Sequence, residues 1–455
     1  MTLKTDIDPR RVETFRVRLD DERERTMAGS DDKTLSLNAL SLSRRALLRG
    51  AAFAGAGALF GSRALAQEDP IAQVLQIHSG EWSDGFDAAS SGAATVRTTL
   101  PILSTETTMA VDAAIAQYND IVARGGWPVV PADKTLQLGM RDPSVLALRE
   151  RLTISGDLSP SIGMSDAFDS FVDGAVRRFQ ARHGIAADGV AGSSTLNAMN
   201  IPAAVRLGQL TTNLERLRSM TAQPLGDRYV CANIPAAQVE AVEYDRVVSR
   251  HTTVVGKVDR QSPVLSSKIY QINFNPYWTV PASIIKKDLI PLMQKQPDYL
   301  TKKHIRIFTQ KGDEIPPQAV NWHSDEAVNY MFRQDPGDFN SLGTVKISFH
   351  NPYQVYMHDT PAKDLFGREE RFDSSGCMRT QNIRQLITWL LRDSPGWDRT
   401  RIDEVFRTAE RIDADIADPV PLYWVYITAW AMPDGAVHFR NDIYNHDGLD
   451  QLALR

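Results

Sequence analysis

The spacing of hydrophobic residues changes near residue 228 and divides the chain into a helical part and a strand-rich part. Before that point, apolar residues recur every three or four positions, which is typical of helices that bury one face. Helices are expected over residues 107–123, 143–152, 171–183, 193–199 and 203–222, and further along over 383–391 and 402–408.

From residue 228 onward, short runs containing Val and Tyr are broken by turn residues, as in antiparallel sheets. Strands are expected over residues 228–234, 238–244, 247–255, 269–273, 345–349, 355–358 and 423–431. Residues 282–342 interrupt this series with helical and loop-like sequence, and we interpret them as an inserted lid. The predicted fold class is multidomain α+β: a β-rich antiparallel domain with an inserted helical lid, plus a small three-helix domain.

A chain of 455 residues is too long for one ordinary hydrophobic core, so several units are expected. The patterns predict six segments. They are a polar leader with an export signal (1–66), an N-terminal support region (67–137), a helical domain (138–202), a linker helix (203–227), the β-rich domain (228–447, with the lid at 282–342) and a C-terminal tail (448–455).

The first 66 residues contain the features of an export signal. Arg44 and Arg45 precede a short run rich in Gly and Ala, which ends in a small-x-small pattern at residues 64–66 (ALA). A basic region, a short apolar stretch and such a cleavage site are typical of a secretory signal peptide, and the arginine pair resembles a twin-arginine signal. We expect a periplasmic protein starting near Gln67. The alternative is an amphipathic or membrane-anchoring helix.

Composition limits the possible functions. The net charge of −5 argues against a dedicated nucleic-acid-binding protein, which would normally be basic. The chain has only two cysteines, so it is not a disulfide-stapled scaffold. Cys231 lies in an apolar run and is expected to be a buried core residue. Cys377 therefore becomes the candidate for chemistry.

Two neighbouring stretches contain a candidate catalytic pair: residues 356–361 (YMHDTP) and 372–379 (FDSSGCMR). A thiol needs a base to become a nucleophile, and His358 lies on a predicted strand nineteen residues before Cys377 (358 to 377). Gly376 permits a tight backbone before the cysteine, where N–H groups could form an oxyanion hole. A lone strand histidine is usually structural, but the combination favours an acyl-transfer site.

These motifs resemble the L,D-transpeptidase catalytic (YkuD) domain, in which a histidine is followed by Ser/Thr-x-Gly-Cys-x-Arg/Asn. Residues 275–281 (NPYWTVP) and Leu342-Gly343 extend the resemblance. Residues 141–200 resemble a type 1 peptidoglycan-binding domain, although a generic helical packing domain is the alternative. Together the two parts resemble the large YcbB-like periplasmic subgroup of L,D-transpeptidases.

The resemblance implies an enzyme that forms 3→3 cross-links in peptidoglycan through a thioester on Cys377. Its partners would be a donor tetrapeptide stem and an amine acceptor, with the twin-arginine machinery for export and covalent inhibition by carbapenems. No cofactor is expected, and the histidines show no metal-type spacing. The alternatives are an L,D-carboxypeptidase, a lipoprotein-attaching transpeptidase and a non-catalytic peptidoglycan-binding protein.

Further positions are expected to support the pair. Arg379 would hold a substrate carboxylate or fix the nucleophile loop, or else form a structural ion pair. Tyr356 shares a strand face with His358 and would line the pocket. Trp278 and Tyr277 would line the groove, with buried aromatic packing as the alternative.

Two residues beside the pair are expected to act in positioning. Ser375 stands where many members of the family have a second histidine; it can donate a hydrogen bond but cannot act as a base. Asp359 points away from the face of His358, so its backbone carbonyl is expected to orient the imidazole.

Overall fold

The computed structural model describes residues 98–449. The predicted export signal, with Arg44, Arg45 and the start near Gln67, lies outside the described residues. Within residues 98–449, no helix combines the length and the apolar character that a membrane span requires.

The described chain is built from ten α-helices and fifteen strands. The helices are α1 Thr105–Ala123, α2 Ser144–Ile154, α3 Ser170–His183, α4 Ser193–Met199, α5 Ala203–Thr221, α6 Ala282–Ile284, α7 Ile290–Lys295, α8 Tyr299–Lys302, α9 Ile383–Leu391 and α10 Arg399–Thr408. The strands are β1 Arg228–Asn233, β2 Gln238–Glu243, β3 Arg246–Gly256, β4 Leu265–Phe274, β5 Trp278–Thr279, β6 Ile305–Phe308, β7 Glu314–Ile315, β8 Met331–Gln334, β9 Val345–Phe349, β10 Met357–His358, β11 Phe372–Ser374, β12 Met378–Thr380, β13 Ile412–Val425, β14 Ala429–Ala431 and β15 Val437–Phe439.

The β-rich domain is one large sheet with the strand order β11-β3-β12-β10-β9-β4-β13-β1-β2. Strand β3 also pairs with β2, so the sheet closes on itself. Apolar side chains of the sheet pack against α9 and α10 in the main core, which includes Met357, Met378 and Leu386. The expected α+β class is thus confirmed.

The sheet is mixed, so the expected antiparallel pairing holds for most of its strand pairs but not for all of them. Three strand pairs are parallel: β1–β13, β10–β12 and β11–β3. Parallel neighbouring strands need long connections. Because a long segment joins each of these pairs, the local sequence pattern does not specify the direction of the second strand relative to the first. The strand expected over 423–431 also proved to be two, the end of β13 and the separate β14, which forms a hairpin with β15.

The helices at the N-terminal side form two groups. Helices α1 and α5 pack on β14, and the buried Cys231 belongs to the core that they share with the sheet. Helices α2, α3 and α4 surround a separate core containing Val145, Val172 and Phe179. Helix α3 is capped by Asp169, whose carboxylate accepts hydrogen bonds from the N–H groups of Phe171 and Val172, as is usual for an N-cap.

The insertion at residues 282–342 differs from the expected helical lid because it also contains strands. A π-helical turn, Ile285–Leu289, joins α6 to α7. Strands β6, β7 and β8 form a four-stranded sheet with β5 in the order β5-β8-β6-β7. A hydrophobic core of its own, including Leu289, Tyr299 and Phe332, holds the insertion together. These strands contain only two to four residues each. A pattern of buried and more exposed positions over so few residues does not stand out from loop sequence.

Candidate active site

Neighbouring parallel strands bring the two predicted catalytic residues together. His358 ends β10, Cys377 directly precedes β12, and the two strands pair Met357 with Met378 and His358 with Arg379. Because side chains alternate along a strand, the two methionines enter the core while Cys377, His358 and Arg379 face the other side. All three line one cavity of about 290 Å³.

The loop that presents Cys377 is held in a tight conformation. Gly376 has φ +108°, and a Cβ atom there would lie 3.3 Å from the carbonyl oxygen of Gln261. The Ser374 hydroxyl accepts from the Gly376 N–H at 3.2 Å and donates to the Cys377 carbonyl at 2.5 Å. Ser262 donates to the Gly376 carbonyl at 2.8 Å. Glycine is therefore required just before the nucleophile, and the loop is fixed on both sides.

Two backbone donors beside the thiol remain available. Among the described residues, the N–H groups of Ser375 and Cys377 donate no hydrogen bond, whereas the Gly376 N–H is occupied by Ser374. Free N–H groups next to a nucleophile are suited to stabilise the oxyanion of a tetrahedral intermediate.

The imidazole of His358 is buried and its orientation is set by the backbone. Its Nδ1 lies 2.5 Å from the carbonyl oxygen of Asp359. A carbonyl oxygen only accepts, so Nδ1 carries the proton and Nε2 of the neutral ring is left as a base. Burial, followed by the positive charge of Arg379, lowers the pKa of His358 to about 3, and the ring is neutral at physiological pH.

The carboxylate of Asp359 points away from the cavity, as expected for a residue next to His358 on a strand. It accepts hydrogen bonds from the Thr344 N–H at 3.0 Å and the Thr344 hydroxyl at 2.9 Å, and pairs with Lys363 at 2.6 Å. Gly343 packs against it so closely that a Cβ atom there would lie 2.5 Å from Oδ2. The carboxylate therefore anchors the segment whose carbonyl holds His358.

The half-buried thiol of Cys377 has a mixed environment. Burial raises its pKa to about 11, and this effect outweighs hydrogen bonds from Tyr356 and the positive charges of Lys346 and Arg379. Since the pKa of His358 is lowered, the resting pair is a neutral thiol and a neutral imidazole. Nucleophilic attack must then be accompanied by proton transfer.

Arg379 is 2% exposed and faces the cavity. No carboxylate in the described part of the chain forms an ion pair with it, and its Nη1 has no hydrogen-bond partner. The structural ion pair considered as an alternative is therefore not formed. The charge of Asp373 partly offsets the burial of Arg379, but a buried guanidinium with an unused donor is suited to bind a carboxylate that enters the cavity.

The two aromatic residues proposed for the groove differ. Trp278 lines the cavity and its Nε1 donates to the Tyr356 hydroxyl at 3.2 Å. Tyr277 is not among the cavity-lining residues; the guanidinium groups of Arg333 and Arg411 lie 4.5 Å and 5.4 Å from its ring centre. Tyr277 thus lies next to Trp278 but outside this cavity, because consecutive residues of an extended segment point to opposite faces.

Three residues that the sequence did not single out complete the site. Lys346 lies opposite His358 in the register of the antiparallel strands β9 and β10. Its ammonium lies 4.9 Å from the centre of the Tyr356 ring. Arg260 donates to the Ser375 hydroxyl at 3.0 Å and pairs with Asp288 of the insertion. Lys346 is the polar position of a strand with an otherwise apolar pattern, which only weakly indicates a role in the site. No sequence pattern indicates that Arg260 or Asp288 belongs to the site.

Between residues 98 and 449, no group of three or more His, Cys, Asp or Glu side chains is arranged to hold a metal ion.

Comparison with known protein families identifies two domains. Residues 227–405 match the L,D-transpeptidase catalytic domain (YkuD), and residues 141–199 match a putative peptidoglycan-binding domain. Both domain assignments made from the sequence motifs are confirmed by these matches.

A curated relative from Haemophilus influenzae, described as a putative L,D-transpeptidase, is 32% identical over 246 residues. The match covers 54% of this chain and 49% of the relative, so the chain spans about half the length of that protein. Among solved structures, L,D-transpeptidases from Xylanimonas cellulosilytica (15% identity, TM-score 0.21) and Stackebrandtia nassauensis (12%, 0.25) are similar over 65% and 67% of this chain and 99% of each of theirs.

Proposed function

We propose that this chain, which carries an L,D-transpeptidase catalytic domain and a peptidoglycan-binding domain, is an exported L,D-transpeptidase that forms 3→3 cross-links in peptidoglycan. One observation carries the proposal: Cys377 and His358 line one cavity, and the Asp359 carbonyl holds the imidazole with Nε2 free as a base. The insertion with its own core and the helical domain upstream support placement in the large YcbB-like subgroup.

The first half-reaction forms a thioester. Sγ of Cys377 attacks the carbonyl carbon at the L-centre of diaminopimelate in a donor tetrapeptide, and its proton passes to Nε2 of His358. The oxyanion accepts hydrogen bonds from the N–H groups of Ser375 and Cys377. The intermediate collapses, the C–N bond breaks, and D-alanine leaves with the proton returned by His358.

The second half-reaction transfers the acyl group. The amine of an acceptor stem attacks the thioester carbon, the C–S bond breaks, and a proton from the amine passes through His358 to the departing thiolate. The sum is one tetrapeptide plus one amine giving one amide cross-link and one D-alanine. Arg379, buried and unpaired, is placed to hold a substrate carboxylate during both steps.

The insertion is proposed to act as a lid. Residues 281–284 of the insertion and its approach line the same cavity as Cys377, as do Ser341 and Leu342 at its end. Water competes with the acceptor amine for the thioester, so a cover that excludes water favours transfer over hydrolysis.

The deciding experiment is mass spectrometry of the products from purified disaccharide-tetrapeptide. A cross-linked dimer with release of D-alanine is expected. Tripeptide alone would indicate an L,D-carboxypeptidase, and transfer only to a lipoprotein lysine would indicate a lipoprotein-attaching transpeptidase. If no thioester formed, the result would indicate a non-catalytic peptidoglycan-binding protein. Cys231→Ala is the matched control because that cysteine is buried in a different core.

Export to the periplasm through the twin-arginine pathway is the other part of the proposal. It rests on Arg44, Arg45 and the small-x-small pattern at residues 64–66. Replacing both arginines with lysine keeps the charge but removes the arginine pair, so export should be lost. Cell fractionation checks this, and unchanged export of the double variant would contradict the pathway.

A further inference from the structure

A second cavity, of about 410 Å³, lies where the helical domain meets the β-rich domain. Helices α3 and α4 contribute one wall, α5 another, and the residues around β11 and β15 the rest. The cavity shares no lining residue with the one that contains Cys377. It is therefore a separate site, with its own chemistry.

Three arginines dominate the lining of this cavity: Arg206, Arg371 and Arg440, which are 2%, 8% and 8% exposed. None of the three forms an ion pair with a carboxylate in the described chain. Glu369 and Glu370 also line the cavity, but both are exposed and neither pairs with these arginines. The cavity thus gathers three buried cations that form no ion pair, and the nearest compensating charge is the exposed Glu369, which raises the pKa of Arg371 against the larger effect of burial.

Within residues 98–449, these guanidinium groups donate hydrogen bonds only to neutral groups. Arg371 donates from Nη1 to the carbonyls of Arg368 and Glu369 at 2.7 Å and 3.3 Å. Arg440 donates from Nη1 to the carbonyls of Arg182 and Phe439 at 3.0 Å and 2.7 Å. These bonds orient the groups without an anionic partner. Cation–π contacts add to them, with the guanidinium of Arg440 4.9 Å from the centre of the Trp430 ring and that of Arg206 4.6 Å from the Phe439 ring.

The third arginine completes the pattern. Arg206 donates to Oε1 of Gln209 at 2.7 Å and to the carbonyl of Ala198 at 3.2 Å. In the part of the chain that the structure describes, the buried Nε atoms of Arg206 and Arg371 have no hydrogen-bond partner. A buried donor without an acceptor and a buried charge without a counter-ion are both unfavourable, so an arrangement of this kind indicates a bound anion.

The charges also oppose one another. Burial, and next the charge of Arg371, lowers the pKa of Arg440 to about 9, and burial lowers that of Arg206 to about 10. The groups are still protonated at neutral pH. Planar guanidinium groups match the two oxygens of a carboxylate, and an anion placed among them would offset both burial and repulsion.

We propose that this cavity binds carboxylate groups of an acidic peptide, a stem peptide of peptidoglycan, apart from the reacting centre. The identification of the ligand as a stem peptide rests on the proposed function. The proposal that the cavity binds an anion rests on the three arginines alone. One wall of the cavity is formed by residues of the peptidoglycan-binding domain. Arg371 lies six residues before Cys377 (371 to 377), so the two residues are separated by at most about 20 Å of extended chain. Substrate held here would remain close to the nucleophile.

The test measures binding in Cys377→Ala protein, which cannot turn the ligand over, by calorimetry with disaccharide-tetrapeptide and, separately, inorganic phosphate. In that background, Arg371→Gln should weaken peptide binding at least tenfold and Arg371→Lys less. Arg368→Gln is the matched control, since Arg368 lies in the same loop but outside the cavity and pairs with Asp364. It should bind as the parent does.

Hydrogen exchange of the parent Cys377→Ala protein provides a second readout that needs no arginine variant. Peptide binding should protect residues 368–372 and 439–441. Equal peptide affinity of the Arg371→Gln and parent proteins, or no protection of these segments, would contradict the proposed location of the site. Tighter binding of phosphate than of peptide would contradict the proposed identity of the ligand. Thioester formation on wild-type Cys377 is scored separately, so failure of the proposed reaction is distinguishable from failure of this site.

Discussion

The guanidinium of Arg260 holds the carboxylate of Asp288 through two hydrogen bonds, 2.5 Å from Nη1 to Oδ2 and 2.7 Å from Nη2 to Oδ1. Asp288 belongs to the π-helical turn of the insertion, and Nη1 of Arg260 also donates to the Ser375 hydroxyl at 3.0 Å. One side chain thus joins the insertion to the loop that presents Cys377.

Asp288→Asn should loosen this connection. The variant removes the buried counter-ion of Arg260 and leaves only the exposed Asp259, 3.7 Å away, so the insertion should cover the thioester less completely. We expect a several-fold higher ratio of hydrolysed tripeptide to cross-linked dimer, measured by mass spectrometry. Lys286→Gln is the control, because it breaks an exposed ion pair with Asp325 in the same insertion. An unchanged ratio in Asp288→Asn would contradict the role of the lid.

Gly343→Ala tests whether Asp359 anchors the histidine. A Cβ atom at Gly343, which has φ +58°, would lie 2.5 Å from Oδ2 of Asp359. The variant should displace Asp359 and with it the carbonyl that holds His358, so acylation of Cys377 should slow at least tenfold. A left-handed backbone alone costs a non-glycine residue about 1–2 kcal/mol.

Gly435→Ala separates the two effects. Gly435 also has a positive φ, +84°, but a Cβ atom there meets nothing within 4 Å. Denaturant unfolding should show a similar loss of stability from backbone strain, while acylation stays near the wild-type rate. If both variants acylate alike, Asp359 does not position His358.

The catalytic pair was predictable because its signal is local. The alternation that sends Met357 and Met378 into the core also fixes the direction of His358 and Cys377, and the nineteen-residue spacing (358 to 377) is visible in the sequence. The same rule indicated that the carbonyl of Asp359, and not its carboxylate, faces the imidazole.

The remainder depends on contacts between distant segments. Arg260 is 28 residues from Asp288 and 115 from Ser375, so no periodicity connects them. The parallel pairing of β10 with β12 is set by how the intervening loop packs, which local pattern does not specify. Tyr277 was assigned to the groove on residue type alone, whereas its direction is decided by the two-residue strand that follows it.

The contrast between neighbouring aromatic residues gives a further prediction. Trp278→Phe removes the hydrogen bond from Nε1 to the Tyr356 hydroxyl, and Tyr356 contributes hydrogen bonds to the thiol. Acylation by a carbapenem should therefore slow several-fold. Tyr277→Ala should stay within about twofold of the wild type, since its ring stacks on arginines away from the cavity. The opposite order would contradict the assignment of the cavity.

The protonation state of the resting thiol is testable by alkylation. With the pKa of Cys377 raised to about 11, the reactive thiolate is a minor species at neutral pH and increases about tenfold per pH unit between pH 7 and 9. The iodoacetamide rate at Cys377, followed by peptide mass spectrometry, should rise accordingly without a plateau. Cys231, which is buried and whose pKa is also raised by that burial, should stay unmodified. A plateau below pH 8 would instead indicate a thiolate–imidazolium pair.

The central claim is that Cys377 and His358 form one acyl-transfer unit, and intact-protein mass during incubation with disaccharide-tetrapeptide tests it most directly. Wild type should gain the donor mass less D-alanine. Cys377→Ala should gain nothing, and His358→Gln should acylate on the order of 10²–10⁴-fold more slowly, because an amide cannot accept the thiol proton. The double variant should be no worse than Cys377→Ala. An adduct on Cys377→Ala, or acylation of His358→Gln at the wild-type rate, would contradict the claim.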